Sequence, residues 1–328
     1  MYNTEYLYHA KLTSPSPRYE ELLSFLQMSG LTPDTDADFT VNIVNDDEKI
    51  VASGSLYRNI IKYIAVADSE QGTGVAAQVI SELVNHAYED GINKLFLFTK
   101  PKNECMFRSM GFYTLAKTKD ALMAENDFRG MSRFLDSLEK PEISGVTGAI
   151  VANCNPMTNG HLYLMEKAAA ECNTLHVFIL SEDRSAFSAD ARYSIVREAT
   201  SHIKNLYLHR SSEYIISSAT FPTYFLKSTA NANNINADLD LTLFGEKIAP
   251  YLGITKRFVG TEPYCAVTNS YNERMKIILP RYGIEVIEVE RKDGISASRV
   301  RELMEKGLYD DIKPIVPEAT YKYIIDHR

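Results

Sequence analysis

The sequence has little cysteine: four in 328 residues, at positions 105, 154, 172 and 265, with no C-x-x-C pair among them. That spacing offers neither a disulfide framework nor a zinc set, and it suits a reducing compartment. Cys154 ends an apolar run, where a thiol is packing material, so it receives no catalytic role. No apolar run reaches the roughly 20 residues of a membrane span. The opening "MYNTEYLYHAK" lacks the basic start and apolar middle of a signal peptide, so the expected setting is cytoplasmic, with no membrane partner. Positive charge is also in short supply. Against 43 Asp and Glu there are 35 Lys and Arg, a net charge of −8, which argues against nucleic acid as a partner. Repeats, low-complexity tracts and an acidic metal cluster are missing too, so no protein-held metal is expected.

What is present is a globular composition, 45% apolar and 24% charged, on a chain long enough for two domains. Up to about residue 118 the pattern is mixed. "YEELLSFLQMSG" has helical spacing, while "DFTVNIVN", "KIVASGSLY" and "IIKYIAVA" read as neighbouring strands joined by short turns, an antiparallel meander. From about 145 the pattern changes. "GAIVANC", "TLHVFIL", "NLYLHR", "KRFVG" and "IEVIEVE" are short apolar strands, several separated by helical stretches at 160–172, 192–202 and 268–281. That alternation predicts a parallel, doubly wound sheet whose ligands bind beyond the carboxyl ends of its strands. The polar stretch closing at Lys140-Pro141 places the boundary at 138–145, giving domains 1–140 and 145–328.

Two stretches of the second domain point to anion chemistry. In "NPMTNGHLYLMEKAAAE" the strand ends at Asn155-Pro156, and a helix with Leu162, Leu164, Met165, Ala168 and Ala169 follows. Thr158, Gly160 and His161 then lie at a helix start, where unpaired N–H groups and the positive dipole end favour a polyphosphate. In "RKDGISASRVRELMEKG" Ser296 or Ser298 caps the next helix, and Arg299 and Arg301 either complete a second anion site or are ordinary surface arginines. Gly260-Thr261-Glu262-Pro263 ends another strand on the ligand side and sets Glu262 within reach of a nucleotide. The hydroxyl-rich and aromatic residues 214–227 either line a small-substrate pocket or form an ordinary strand and loop.

Taken together, Asn155-Pro156-x-Thr158-x-Gly160-His161 and Arg291-x-x-Gly294-Ile295-Ser296-x-Ser298 resemble the two phosphate-gripping motifs of the nucleotidyltransferase superfamily. With "SATFPTYFLK", "VGTEPY" and "ISASRVR" the whole chain is similar to the citrate (pro-3S)-lyase ligase family. The resemblance implies an enzyme that uses ATP and acetate to acetylate the prosthetic-group thiol of the citrate lyase acyl carrier protein, releasing AMP and diphosphate. It implies ATP binding by Asn155, Gly160, His161, Glu262, Ser296, Ser298 and Arg299, catalysis by His161, Thr158 and Arg301, and Mg²⁺ carried in with ATP. The rival reading is a phosphopantetheine or nucleotide adenylyltransferase fused to an independent acetyltransferase.

In the first domain, Gln71-Gly72-Thr73-Gly74-Val75-Ala76 opens a helix with an apolar face and fits the coenzyme-A loop of GNAT-type acyltransferases. The fold expected overall is therefore α/β, a GNAT-like mixed α+β domain followed by a Rossmann-like doubly wound parallel sheet. Gln71, Gly72, Gly74 and Ala76 are expected to hold the coenzyme-A-like arm of the carrier protein. Asn103, Cys105 and Tyr113 either serve a thioester cleft or are structural.

Overall fold

The computed structural model describes residues 2–8, 17–34, 37–181, 186–215, 222–226, 231–262, 265–290 and 295–328. The chain forms two compact units, one of residues 1–132 with 218–239 and one of 133–217 with 240–328. The described residues 222–226 and 231–239 therefore belong to the first unit, although they fall between strands of the second in sequence.

The first unit is built on a seven-stranded sheet: β1 (Asn3–Tyr8), β2 (Phe39–Val44), β3 (Ile50–Tyr57), β4 (Ile60–Val66), β5 (Phe96–Thr99), β6 (Tyr113–Lys117) and β7 (Leu122–Glu125), in the order β1-β2-β3-β4-β5-β7-β6. The meander β2-β3-β4 is antiparallel, as the short turns require, and β4-β5 is the one parallel pairing. The helix Val75–Glu89 lays Val79, Ile80 and Leu83 on β2–β4, each nearly or fully buried. Burial of one such side chain is worth about 1.5–3 kcal/mol. Its close approach depends on Gly54 in β3, where a Cβ would come within 2.6 Å of Val79. Strand β1 is an edge strand with an exposed and half-buried pattern, too weak in apolar alternation for the sequence to announce.

The second unit carries five parallel strands, β8 (Thr147–Ala152), β9 (Thr174–Ile179), β10 (Leu206–Arg210), β11 (Lys256–Gly260) and β12 (Glu285–Val289), ordered β10-β9-β8-β11-β12. The expected strands and the helices Asn159–Ala170, Ala189–Ala199 and Ala266–Ile278 are all present. On one face of the sheet Ile150, Val177, Ile179 and Phe258 pack with Met165, Ile195, Val300 and Ile324 of four helices. The other face sets Phe178 and Arg257 against Phe244. Chain order reverses beside β8, since β9 lies on one flank and β11 on the other, and this is where a doubly wound sheet opens a ligand crevice. Among the described residues, no helix is long and apolar enough to cross a membrane.

Candidate functional site

Strand β8 runs out at Ala152, and the chain turns through Cys154, which has a φ of +49°, to a cis Asn155-Pro156 bond. Cys154 is 1% exposed, and burial pushes its thiol up to about 12, so it is neutral packing as expected. Thr158 then caps the helix Asn159–Ala170: its Oγ1 accepts the His161 backbone N–H at 3.4 Å. The reciprocal bond fixes the imidazole. The Thr158 backbone N–H donates to His161 Nδ1 at 3.1 Å, and Thr158 Oγ1 lies 2.9 Å from the same nitrogen. A backbone N–H can only donate, so Nδ1 is the acceptor, and in the neutral ring the proton resides on Nε2. His161 is thus a capping-box residue whose second nitrogen is a donor. Thr158, 1% exposed, is the part that orients it.

The second motif begins after β12. Arg291 and Gly294 lie outside the described residues, as does Pro263. Ser296 caps the helix Ala297–Glu305, its Oγ accepting the Arg299 N–H at 3.1 Å, while Val300 and Leu303 anchor that helix in the core. Two observations join this helix start to the first one. A Cβ placed on Gly160 would sit 3.6 Å from the Ile295 carbonyl oxygen. Arg301 reaches across with Nη1 donating to the Asn155 carbonyl at 2.5 Å and Nη2 to Ser298 Oγ at 3.0 Å. Two sets of helix-start N–H groups and the Nε2–H of His161 therefore share one neighbourhood, a donor set suited to phosphate oxygens.

The other expected residues take different positions. Asn155 Oδ1 accepts the Phe187 N–H at 3.1 Å, which ties the first motif to the start of the helix Ala189–Ala199. The Arg299 guanidinium pairs along its own helix with Glu302 at 3.3 Å and is exposed. Glu262 follows the end of β11, where Thr261 N–H bonds the Val289 carbonyl, and its Oε1 accepts the Cys265 N–H at 3.2 Å. Among the described residues, no group of three or more His, Cys, Asp and Glu stands ready to hold a metal.

Sequence reasoning passed over Arg192. It is fully buried and its guanidinium clamps two loops: Nη1 donates to the Asn153 carbonyl, to Asn153 Oδ1 and to the Leu180 carbonyl at 2.9, 2.6 and 2.7 Å, and Nε donates to the Phe187 carbonyl at 3.1 Å. These loops leave the carboxyl ends of β8 and β9, so Arg192 sets the rim of the crevice. The signal was present: Arg192 sits among Ala191, Ile195 and Val196 on the apolar stripe of its helix, a place where an arginine is out of pattern.

The first unit has its own cleft, about 970 Å³, and Gln71, Gly72, Gly74 and Ala76 all line it. Gly72 and Gly74 have φ of +83° and +93°, which a side chain would resist, and Gly74 caps the helix Val75–Glu89. Gln71 Nε2 bonds Asp68 Oδ1 at 2.8 Å and braces the loop. Asn103 also lines the cleft and donates to Thr99 Oγ1 at 2.8 Å, while Cys105 and Tyr113 are exposed.

Two family descriptions match the chain. The family described as "Citrate lyase ligase C-terminal domain" matches residues 147–324, and the "Acetyltransferase (GNAT) family" matches residues 4–114. The chain is 41% identical to the citrate (pro-3S)-lyase ligase of Escherichia coli (strain K12), over 95% of this chain and 91% of that protein. It is 39% identical to the protein of the same name in Klebsiella pneumoniae, over 97% and 96%, and 38% identical to that of Haemophilus influenzae, over 96% and 97%.

Proposed function

Because the chain belongs to the citrate lyase ligase family, we propose that its second unit makes acetyl adenylate between the two helix starts and that its first unit holds the thiol arm that takes the acetyl group. The enzyme is an ATP-dependent ligase that acetylates the prosthetic-group thiol of the citrate lyase acyl carrier protein. In the first step a carboxylate oxygen of acetate attacks the α-phosphorus of ATP, and the bond to the β-phosphate breaks. Acetate is ionised near neutral pH, so no general base is needed. In the second step the thiolate sulfur attacks the acetyl carbon and AMP departs.

The observation that carries this reading is the bridge of Arg301 from its own helix to the Asn155 carbonyl, with Gly160 set against Ile295. In-line nucleotidyl transfer rests on positioning and charge neutralisation, and this donor set is of that kind. His161 donates from Nε2 to an oxygen of the departing diphosphate. Thr158 keeps the ring aligned, Ser296, Ser298 and Arg299 meet phosphate oxygens, and Glu262 contacts the nucleoside. Arg301 holds the two motifs together and offsets the charge that builds at the transition state. The donor set suits Mg²⁺ only as a passenger, held by phosphate oxygens and water. The reading divides the chain at 138–145, with the arm resting on Gln71, Gly72, Gly74 and Ala76. It assigns the reaction to the cytoplasm, where ATP and reduced thiols are supplied.

The test is a product analysis with ATP, acetate and the de-acetylated carrier protein. AMP and diphosphate in equal amounts with thioester are expected. Formation of ADP would refute the mechanism, and exchange of labelled diphosphate into ATP that requires phosphopantetheine instead of acetate would favour an adenylyltransferase.

A further inference from the structure

The cleft of the first unit has an unusual inner end. Strands β4 and β5 pair only at Ile60–Phe96 and Ile61–Leu97; beyond that register they diverge, although β4 continues to Val66 and β5 to Thr99. A diverging strand pair leaves backbone groups in need of partners, and an extended ligand carrying amides can supply them. Here a side chain has entered the gap first. The Tyr224 hydroxyl donates to the Phe98 carbonyl at 2.7 Å, and its ring stands edge-on to Tyr63 with centroids 4.9 Å apart. Tyr224 is 5% exposed.

The short segment carrying Tyr224 is firmly fastened. Thr32 N–H donates to the Tyr224 carbonyl at 2.9 Å. The Asp34 carboxylate accepts the Thr223 N–H at 2.6 Å, the Tyr224 N–H at 3.1 Å and the Tyr63 hydroxyl at 2.9 Å, and it pairs with the buried ammonium of Lys62. Asp34 thus pins both the segment and the ring below it. An insertion held this way is a built wall rather than a loop at rest.

The cleft is lined by the glycine loop with Gly72 and Gly74, by Ile64–Ala67 of β4 and the following turn, and by Tyr224 and Phe225; the glycine loop follows the carboxyl end of β4, and Tyr224 stands against Tyr63 farther back on that strand. From Ala67 back to Tyr63 the strand path is about 13 Å at 3.3 Å per residue, a distance that a pantetheine chain covers when extended. With its diphosphate on the glycine loop, such an arm lies along β4 and brings its sulfur to the phenol ring. We propose that Tyr224 determines specificity in this cleft, admitting a pantetheine arm that ends in a free thiol and rejecting the same arm once it is acetylated. The inference rests on the arm-holding reading given above. It supplies that reading with a direction: the substrate thiol is retained, and the acetylated product no longer fits and leaves. An acetyl group adds three heavy atoms at the sulfur, and the Tyr224 ring they would meet is buried with its hydroxyl held by the Phe98 carbonyl, so the wall does not give way to them.

The experiment is calorimetric titration of the full chain with dephospho-coenzyme A and with acetyl-dephospho-coenzyme A, under saturating ATP so that the nucleotide crevice is filled. The thiol form is expected to bind at least tenfold more tightly. Tyr224→Phe keeps the ring and should keep the preference, whereas Tyr224→Ala should bring the two affinities within about twofold through a gain for the acetylated form. Equal binding of both forms by the natural protein, or a preference that persists in Tyr224→Ala, overturns the inference and leaves arm holding intact. If Tyr224→Ala does not fold, the natural protein and Tyr224→Phe decide the question by the same ratio. Failure of both forms to bind, or binding that survives Ala76→Glu in the glycine-loop helix, overturns the arm-holding reading and the inference with it.

Discussion

Two histidines buried in the second unit make its stability depend on pH in a window that few other groups share. His176 on β9 and His209 on β10 are 0% and 5% exposed, and His176 Nδ1 lies 2.9 Å from His209 Nε2. The His176 Nε2 atom is buried without a partner among the described residues. Burial holds His176 down at about 4, and burial with the neighbouring His176 holds His209 at about 3. An exposed histidine titrates near 6.5. Because the folded values are lower, the unfolded chain takes up protons first. The contribution to stability is therefore complete above about pH 6.5 and is lost progressively as pH falls towards 4 and then 3. At pH 5 the folded rings are still neutral and the unfolded ones are charged, so each histidine costs about 2 kcal/mol, roughly 4 kcal/mol together, at 1.36 kcal/mol per pH unit.

The carboxylates that folding holds below their ordinary range, such as Asp34 and Glu104, lose their contribution only below their ordinary values of 3.8 and 4.5 and so leave this window clear. Urea unfolding at pH 7, 6 and 5 and constant ionic strength measures the effect. His209→Gln, which keeps a hydrogen-bonding group beside His176, should lose about 2 kcal/mol less than the natural protein between pH 7 and 5. Equal losses in the two proteins would refute the assignment.

Three further outcomes are expected. His161→Ala removes the Nε2 donor and should lower acetate-dependent exchange of diphosphate into ATP by about 10²–10³-fold, as loss of one preorganised donor does elsewhere; a change below threefold would mean that the ring only caps its helix. Arg301→Lys cannot span Asn155 and Ser298 together, so the adenylation rate should drop about tenfold with the unfolding midpoint moved by only a few degrees, whereas an unchanged rate would show that the bridge is dispensable. Arg257 is 3% exposed, its Nε and Nη1 lack partners among the described residues, and its guanidinium rests 4.6 Å from the Phe244 ring centroid. Arg257→Met should therefore be neutral or stabilising by about 1–3 kcal/mol in thermal unfolding, and a loss above 2 kcal/mol would show that nearby Asp240 offsets the buried charge.

The sequence alone determined the five strands of the second unit and the helices that follow β8, β9, β11 and β12, together with the helix starts at Thr158–His161 and at Ser296 or Ser298 and the two glycines of the loop before the helix Val75–Glu89. These features are local: helical spacing, the demands of Pro156 and Gly74, and the taste of helix starts for hydroxyl residues all act within a few positions. Tertiary structure decided what those pieces meet. The order β10-β9-β8-β11-β12 brings Gly160 against Ile295 and lets Arg301 reach Asn155. It turns Arg192, one charged residue among many, into the clamp behind the crevice rim. It also sends Tyr224 and Phe225, which sit between strands of one unit in sequence, to line a cleft in the other. No local pattern announces such meetings, because the residues involved are far apart along the chain and the contacts depend on which strand lies beside which.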